Sequence, residues 1–198
     1  MPVSTVRVAF AALAICLGSL AAPVMAEETG GGGAPGDVAP PVKAPDRWAP
    51  FRGFLGVWEG TSRGSPGEGA LHREYRLVLG DRFIEVRNRS VYPPQEKNPK
   101  GEVHEDVGYL SVDRARKLFV FRQFHLEGFV NTYTAPAASA PPGPMVFATE
   151  WIENIPPGWR ARETYRFEEP DQLVELFELA EPGKEFTTYS EARLKRVR

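Results

Sequence analysis

The sequence holds a single cysteine, Cys16, and three histidines, His72, His104 and His125, that lie far apart along the chain. Cys16 falls within an expected export signal, so the processed chain keeps no thiol, which excludes disulfides, zinc–thiolate sites and cysteine nucleophiles. An apolar run long enough to span a bilayer, roughly 20 residues, is also missing. So is an excess of either charge. Setting aside Arg7 and Lys43 from the 24 bases, and Glu27, Glu28, Asp37 and Asp46 from the 26 acids, leaves 22 of each over residues 47–198. Without a basic block there is no long-range attraction to nucleic acid or to an anionic membrane. Finally, no stretch after residue 57 has the apolar spacing of an amphipathic helix of ordinary length, which removes helical bundles and α/β folds from consideration.

What is present begins with a leader. Arg7, the apolar run Val8 to Leu20 and the small-residue site Val24-Met25-Ala26 read as a secretory signal over residues 1–26, so the expected product is exported to the periplasm or secreted, with no membrane insertion. Residues 27–46, "EETGGGGAPGDVAPPVKAPD", are nearly devoid of large apolar side chains and cannot bury enough surface to offset their ordering entropy. They read as a flexible tether. The folded domain is then 47–198, 152 residues, enough for one core and too few for two.

Within that domain, Trp48, Phe51, Phe54 and Leu55 recur at helical spacing and predict one short turn of helix ahead of the first strand. From Val57 the rhythm changes to period two, with ten expected strands at 57–63, 70–79, 82–92, 102–111, 116–125, 127–134, 144–152, 158–167, 172–180 and 185–195, punctuated by turns such as "SPGEG", "PPQEKNPKG" and "EPGK". Ten strands joined by short connections predict an all-β fold, a single antiparallel up-and-down barrel in which closure removes the exposed edges and the helical turn plugs one end. Facing follows from chemistry. Arg160, Arg162 and Arg166 share one row of their strand and cannot all be buried, so Trp159, Ala161, Glu163, Tyr165 and Phe167 point inward. In the last strand Phe186, Thr188, Ser190, Ala192 and Leu194 form the expected inner row. The strand "KLFVFRQFHL" is apolar on both faces, and its outer face reads either as a homodimer seam or as a locally apolar surface.

Two motifs overlap in "FLGVWEGTSRG". Gly60-x-Ser62-x-Gly64 has the pattern of a hydrolase nucleophile elbow, but such an elbow needs a strand, a sharp turn and a helix, and here "SPGEG" leads to another strand. No catalytic residue is assigned, and the chain reads as a binding protein rather than an enzyme. Gly56-x-Trp58 instead places a tryptophan after the helical turn, where it closes the barrel's end. With "VGYLSVD", "FRQFHLEGFVNTY" and the closing "YSEARLKRV", the start "FLGVWEG" resembles the calycin-like barrels, most closely the nitrobindin-like and fatty-acid-binding-protein-related ones and uncharacterised bacterial families near them. The resemblance covers residues 50 to 196 and implies a ten-stranded barrel with an internal cavity. In nitrobindin-like proteins the cavity holds a haem bound by a histidine late in the chain. Here no histidine follows His125. A haem protein acting on peroxide or nitrogen oxides therefore requires His125 or His104 as the axial ligand.

His104 and Asp106 share a strand face, but a zinc site there lacks a third ligand, so no metal is assigned. Ionisable residues within otherwise apolar strands complete the reading. Glu163, Arg122 and His125 are the expected polar contacts of an internal site, with Glu163 and Arg122 as an internal pair and Tyr109, Phe147, Trp151, Tyr165 and Phe177 as its walls. The expectation is a β-barrel that binds a small, mostly apolar molecule. The alternative outside ligand binding is an interaction module whose barrel is filled by side chains.

Overall fold

The computed structural model describes residues 46–96 and 98–197. The expected signal and nearly all of the expected tether lie outside these residues. The chain begins with a 3-10 turn, η1 (Ala49–Phe51), and continues as ten strands: β1 (Gly56–Gly64), β2 (Gly67–Val78), β3 (Phe83–Tyr92), β4 (Glu102–Asp113), β5 (Leu118–His125), β6 (Val130–Pro136), β7 (Met145–Glu153), β8 (Arg160–Glu169), β9 (Gln172–Ala180) and β10 (Thr187–Arg196). Each strand pairs antiparallel with its sequence neighbour, and β1 pairs with β10 to close the barrel.

The first strand shows why closure needs its glycines. Gly56 has φ 121, open only to glycine, and a Cβ on Gly60 would overlap the carbonyl of Arg193 on the partner strand. Between them Trp58 is fully buried, donates its indole N–H to the carbonyl of Phe54 at 2.7 Å and lies under the Arg196 guanidinium. Phe51 from η1 and Phe54 just after it press into the same end, edge-on to Phe119 and Phe167. This sealed half has a continuous aromatic and aliphatic core that includes Ile84, Leu110, Phe121 and Phe147.

Strand facing agrees with the reading for β8, where Ala161, Glu163 and Tyr165 are buried and Arg160 and Arg166 are exposed. Three other facings are corrected. In β10 the inner row holds for Ser190, Ala192 and Leu194, but the pairing with β9 shifts between Thr188 and Ser190. This bulge reverses the phase toward the strand's start, and Phe186 stands outside beneath the guanidinium groups of Arg160 and Arg162. In β7, Trp151 pairs with Thr132 while Thr149 pairs with Tyr133, so Glu150 is the extra residue of a second bulge. Met145 and Phe147 point inward before it. After it Ile152 takes the inner position and Trp151 is left 65% exposed.

The third correction concerns β4 and β5. The inner row of β4 runs through Asp106, Gly108 and Leu110, and that of β5 through Phe119, Phe121, Gln123 and His125. Gly108 leaves room for the ring of Phe121, which a Cβ there would overlap. Tyr109 and Arg122 are register partners on the outer face, so the expected internal pair of Arg122 with Glu163 does not form. Tyr109 donates its hydroxyl to Glu85 at 2.9 Å on that outer face. Burial would raise the Glu85 carboxyl, but hydrogen bonds from Arg87, Arg76 and Tyr109 outweigh it and hold it down at about 2. Phe83, Val120 and Phe124 join Tyr109 and Arg122 around a shallow outer depression, the apolar face expected for β5.

Candidate functional site

The other half of the barrel is hollow. A cavity of about 670 Å³ opens at the end opposite η1, between the β1–β2, β3–β4, β5–β6, β7–β8 and β9–β10 connections. Its origin lies in the inner rows of the strands, which run from apolar to polar toward the mouth. Ile84 and Val86 precede Asn88 and Ser90 in β3, and Phe119 and Phe121 precede Gln123 and His125 in β5. In β2, read from the mouth inward, Arg73 comes before Tyr75. Register brings these polar residues to one level: Arg73 faces Asn88, Asn88 faces Asp106, Gln123 faces Asn131, and Tyr165 faces Glu175.

The resulting polar floor is linked across five strands. Arg73 forms a buried ion pair with Glu175 at 2.7 Å and donates to Asn88 at 3.0 Å and to the Tyr75 hydroxyl at 3.3 Å. Asn88 passes the chain to Asp106 Oδ2 at 3.0 Å, while Gln123 donates to Asp106 Oδ1 at 2.9 Å. Burial works against the Arg73 charge, but the field of Glu175 prevails and holds its pKa well above the usual arginine value. Burial also pulls the Asp106 carboxyl upward, and here hydrogen bonds from His104 and Gln123 and the charge of Arg73 prevail to hold it low. Glu163 behaves differently. Burial and then the negative charge of Glu175 push it up to about 8, so at neutral pH it is a carboxylic acid. It accepts the Tyr165 hydroxyl at 2.5 Å.

Nearer the mouth, His104 and His125 stack at a slant with ring centres 5.3 Å apart. His104 Nδ1 is 2.8 Å from Glu127 Oε1, and its Nε2 is 3.5 Å from Asp106 Oδ2 and 3.4 Å from His125 Nδ1. The hydrogen bond with Asp106, then that with Glu127, raises His104 to about 9, whereas burial lowers His125 to about 4. The ring of His125 lies flat on Phe129 at 4.0 Å, and Asn131 Nδ2 is 3.2 Å from its Nε2. Two buried polar atoms at this level, Gln123 Oε1 and Asn131 Oδ1, have no hydrogen-bond partner. The opposite wall is apolar, built from Ile152, Trp159, Phe177 and Leu179.

Of the residues expected at the site, His125, Glu163 and Phe177 line the cavity. Tyr165 and Phe147 point inward but belong to the sealed core, with the Tyr165 hydroxyl reaching the floor at Glu163. Arg122, Tyr109 and Trp151 lie on the outer surface. The reading missed Arg73, Asn88, Gln123, Asn131 and Glu175. The available signal was a polar residue at the same end of one inner row after another. Ser62 is buried in the cavity wall on β1, which runs through a turn into β2, consistent with its reading as a plain strand residue.

No protein-family model matches the sequence, and no curated protein is similar to it. Among solved structures, the crystal structure of Rv2717c from M. tuberculosis is similar in fold, with TM-score 0.62 and 18% identity, covering 79% of this chain and 100% of that one. Weaker likenesses are to the phycobiliprotein lyase CPES from Guillardia theta, TM-score 0.48 and 16% identity over 75% of this chain and 90% of that one, and to a designed fluorescence-activating β-barrel, TM-score 0.40 and 16% identity over 76% and 98%. These likenesses concern the fold alone.

Proposed function

We propose that this protein is an exported carrier or sensor that binds one small amphiphilic molecule in the open half of its barrel. The observation that carries the reading is the cavity itself: about 670 Å³, open at one end, apolar on one wall and floored by a connected polar network. Its volume is that of a pocket for a drug-sized ligand, roughly 300–1,000 Å³. An apolar body against Phe177, Leu179 and Ile152 gains burial, and a polar head satisfies the floor. The expectation of a mostly apolar ligand is thereby refined. Even with Glu163 neutral, the carboxylates of Glu102, Asp106, Glu127 and Glu175 outnumber the cations Arg73 and His104 around the cavity, and Arg73 is already paired. The head group is therefore neutral or cationic, because an anionic head would meet uncompensated like charge.

The test is thermal unfolding of delipidated protein against chain-matched amphiphiles with cationic, neutral and carboxylate heads. The reading expects the midpoint to rise with the first two, and to rise less in Phe177→Ala. No rise with any head group would sink it.

The haem reading has less support. Each ring nitrogen of His125 and of His104 has a protein group within 3.5 Å, which leaves no room for a porphyrin plane around an iron bound there. These residues do not fit a haem. The filled-barrel module loses its premise, since side chains fill only the sealed half.

A further inference from the structure

We propose that His104, Asp106 and His125 form a binding site for one divalent transition-metal ion, zinc in the first instance, at the mouth of the cavity. Among the described residues these three bring a ligand atom apiece to within 4.8 Å of one another. The β4–β5 register supplies the third donor that the His104/Asp106 pair lacked, because Asp106 and His125 are direct partners across the two strands. The spacing is that of a ligand triangle. Two nitrogens each ~2.05 Å from a tetrahedral zinc ion stand about 3.3 Å apart. His104 Nε2 lies 3.4 Å from His125 Nδ1 and 3.5 Å from Asp106 Oδ2, close to two edges of a coordination tetrahedron.

The surroundings have the form that metal ligands need. Glu127 accepts from His104 Nδ1 at 2.8 Å and so holds the ring with Nε2 turned toward Asp106 and His125, where an arriving cation displaces the Nε2 proton, a carboxylate–histidine arrangement behind the donor. The Phe129 ring holds the plane of His125, and Gln123 and Asn88 orient the Asp106 carboxylate. On the far side of His125, the buried acceptor Asn131 Oδ1 has no partner. A half-turn of that amide brings the oxygen to His125 Nε2, where it accepts the N–H that a Nδ1-bound imidazole carries. Two imidazoles and one carboxylate suit a first-row divalent ion and leave its remaining positions facing the cavity. The inference is independent of which organic molecule, if any, occupies the barrel.

The test is calorimetric titration of the purified full chain with zinc chloride, repeated with cobalt chloride to read the visible bands of the bound ion. The expected result is one saturable ion per chain, reversed by chelator, with affinity at least tenfold lower in His125→Ala and 10- to 100-fold lower in Glu127→Gln, which removes only the support behind His104. Absence of saturable uptake overturns the proposal, as does uptake unchanged in a His104→Ala/His125→Ala double variant with wild-type circular dichroism. Should that variant not fold, nitrogen NMR of the wild-type histidines decides. Zinc must shift His104 Nε2 and His125 Nδ1 while leaving the exposed His72 unmoved, and the absence of those shifts refutes the site.

Discussion

The two halves of this barrel are made from the same ten strands and differ in what their inner rows carry. In the sealed half, Phe54, Phe51 and Phe119 meet ring to ring, Trp58 meets Phe167, and the indole N–H of Trp58 has its carbonyl partner. In the open half, every strand from β2 to β6 turns at least one polar side chain inward, and the groups meet as a network instead of packing as a solid. Apolar side chains can fill space in any close-packed arrangement, whereas buried polar ones must meet their partners' geometry and leave gaps where it is not met. The hollow is thus located where the chemistry of the rows changes. Stability should reside in one half and recognition in the other.

That division can be broken most forcefully at Trp58. Trp58→Ala should cost on the order of 3–5 kcal/mol in urea unfolding, while the molecules that remain folded bind cavity ligands as before. A large loss of affinity with little loss of stability would reverse the assignment of the halves. Next is the floor. Arg73→Met strands Glu175 in the interior and should cost on the order of 3 kcal/mol, most of which returns in Arg73→Met/Glu175→Leu, where neither charge is left. No recovery in the double variant would show that Arg73 is held by more than its partner.

A smaller effect comes from pH. Glu163 is protonated in the folded barrel until about pH 8, whereas in the unfolded chain it ionises near 4.5. Its folded pKa is raised, so its contribution is fully present below the unfolded value and is lost as pH rises through about 8. The melting temperature should fall between pH 5 and 9, and Glu163→Gln, which cannot ionise, should flatten that fall. The smallest expected effect is outside. Trp151→Ala should change stability by no more than about 0.5 kcal/mol and leave ligand binding intact, since the ring stands in solvent.

Strand order, strand number and the sealed end were legible in the sequence because period-two alternation and the Gly56-x-Trp58-x-Gly60 start are local signals. The inward direction of Glu163 was legible for a second reason, since three arginines on the opposite row left it no choice. Trp151 and Phe186 were misplaced because a bulge inserts one residue and inverts the phase beyond it, and nothing in "FATEWIEN" or "FTTYSE" marks where it falls. Arg122 was misplaced because β5 is apolar on both faces, so its own pattern is silent about direction, and Tyr109 because β4 sets Val103, Val107 and Tyr109 on its outer row against Asp106 and Gly108 on the inner one. The floor was invisible for a different reason. Arg73, Asn88, Asp106 and Gln123 are ordinary residues singly, and only the stagger of neighbouring strands brings them to one height. His125 is the instructive intermediate: a lone histidine by sequence, and a partner of Asp106 once β4 and β5 are aligned.

The seam between the first and last strands has one more implication. Asp46 accepts hydrogen bonds from Trp48 and Arg52 at the sealed rim, and Val197 donates to the carbonyl of Val57 a few residues away. The first and last described residues of the domain, Asp46 and Val197, therefore lie at the same end, opposite the mouth. A fusion partner, an affinity handle or a solid support joined at either terminus would hold the barrel like a cup by its base, with the rim turned outward and unobstructed.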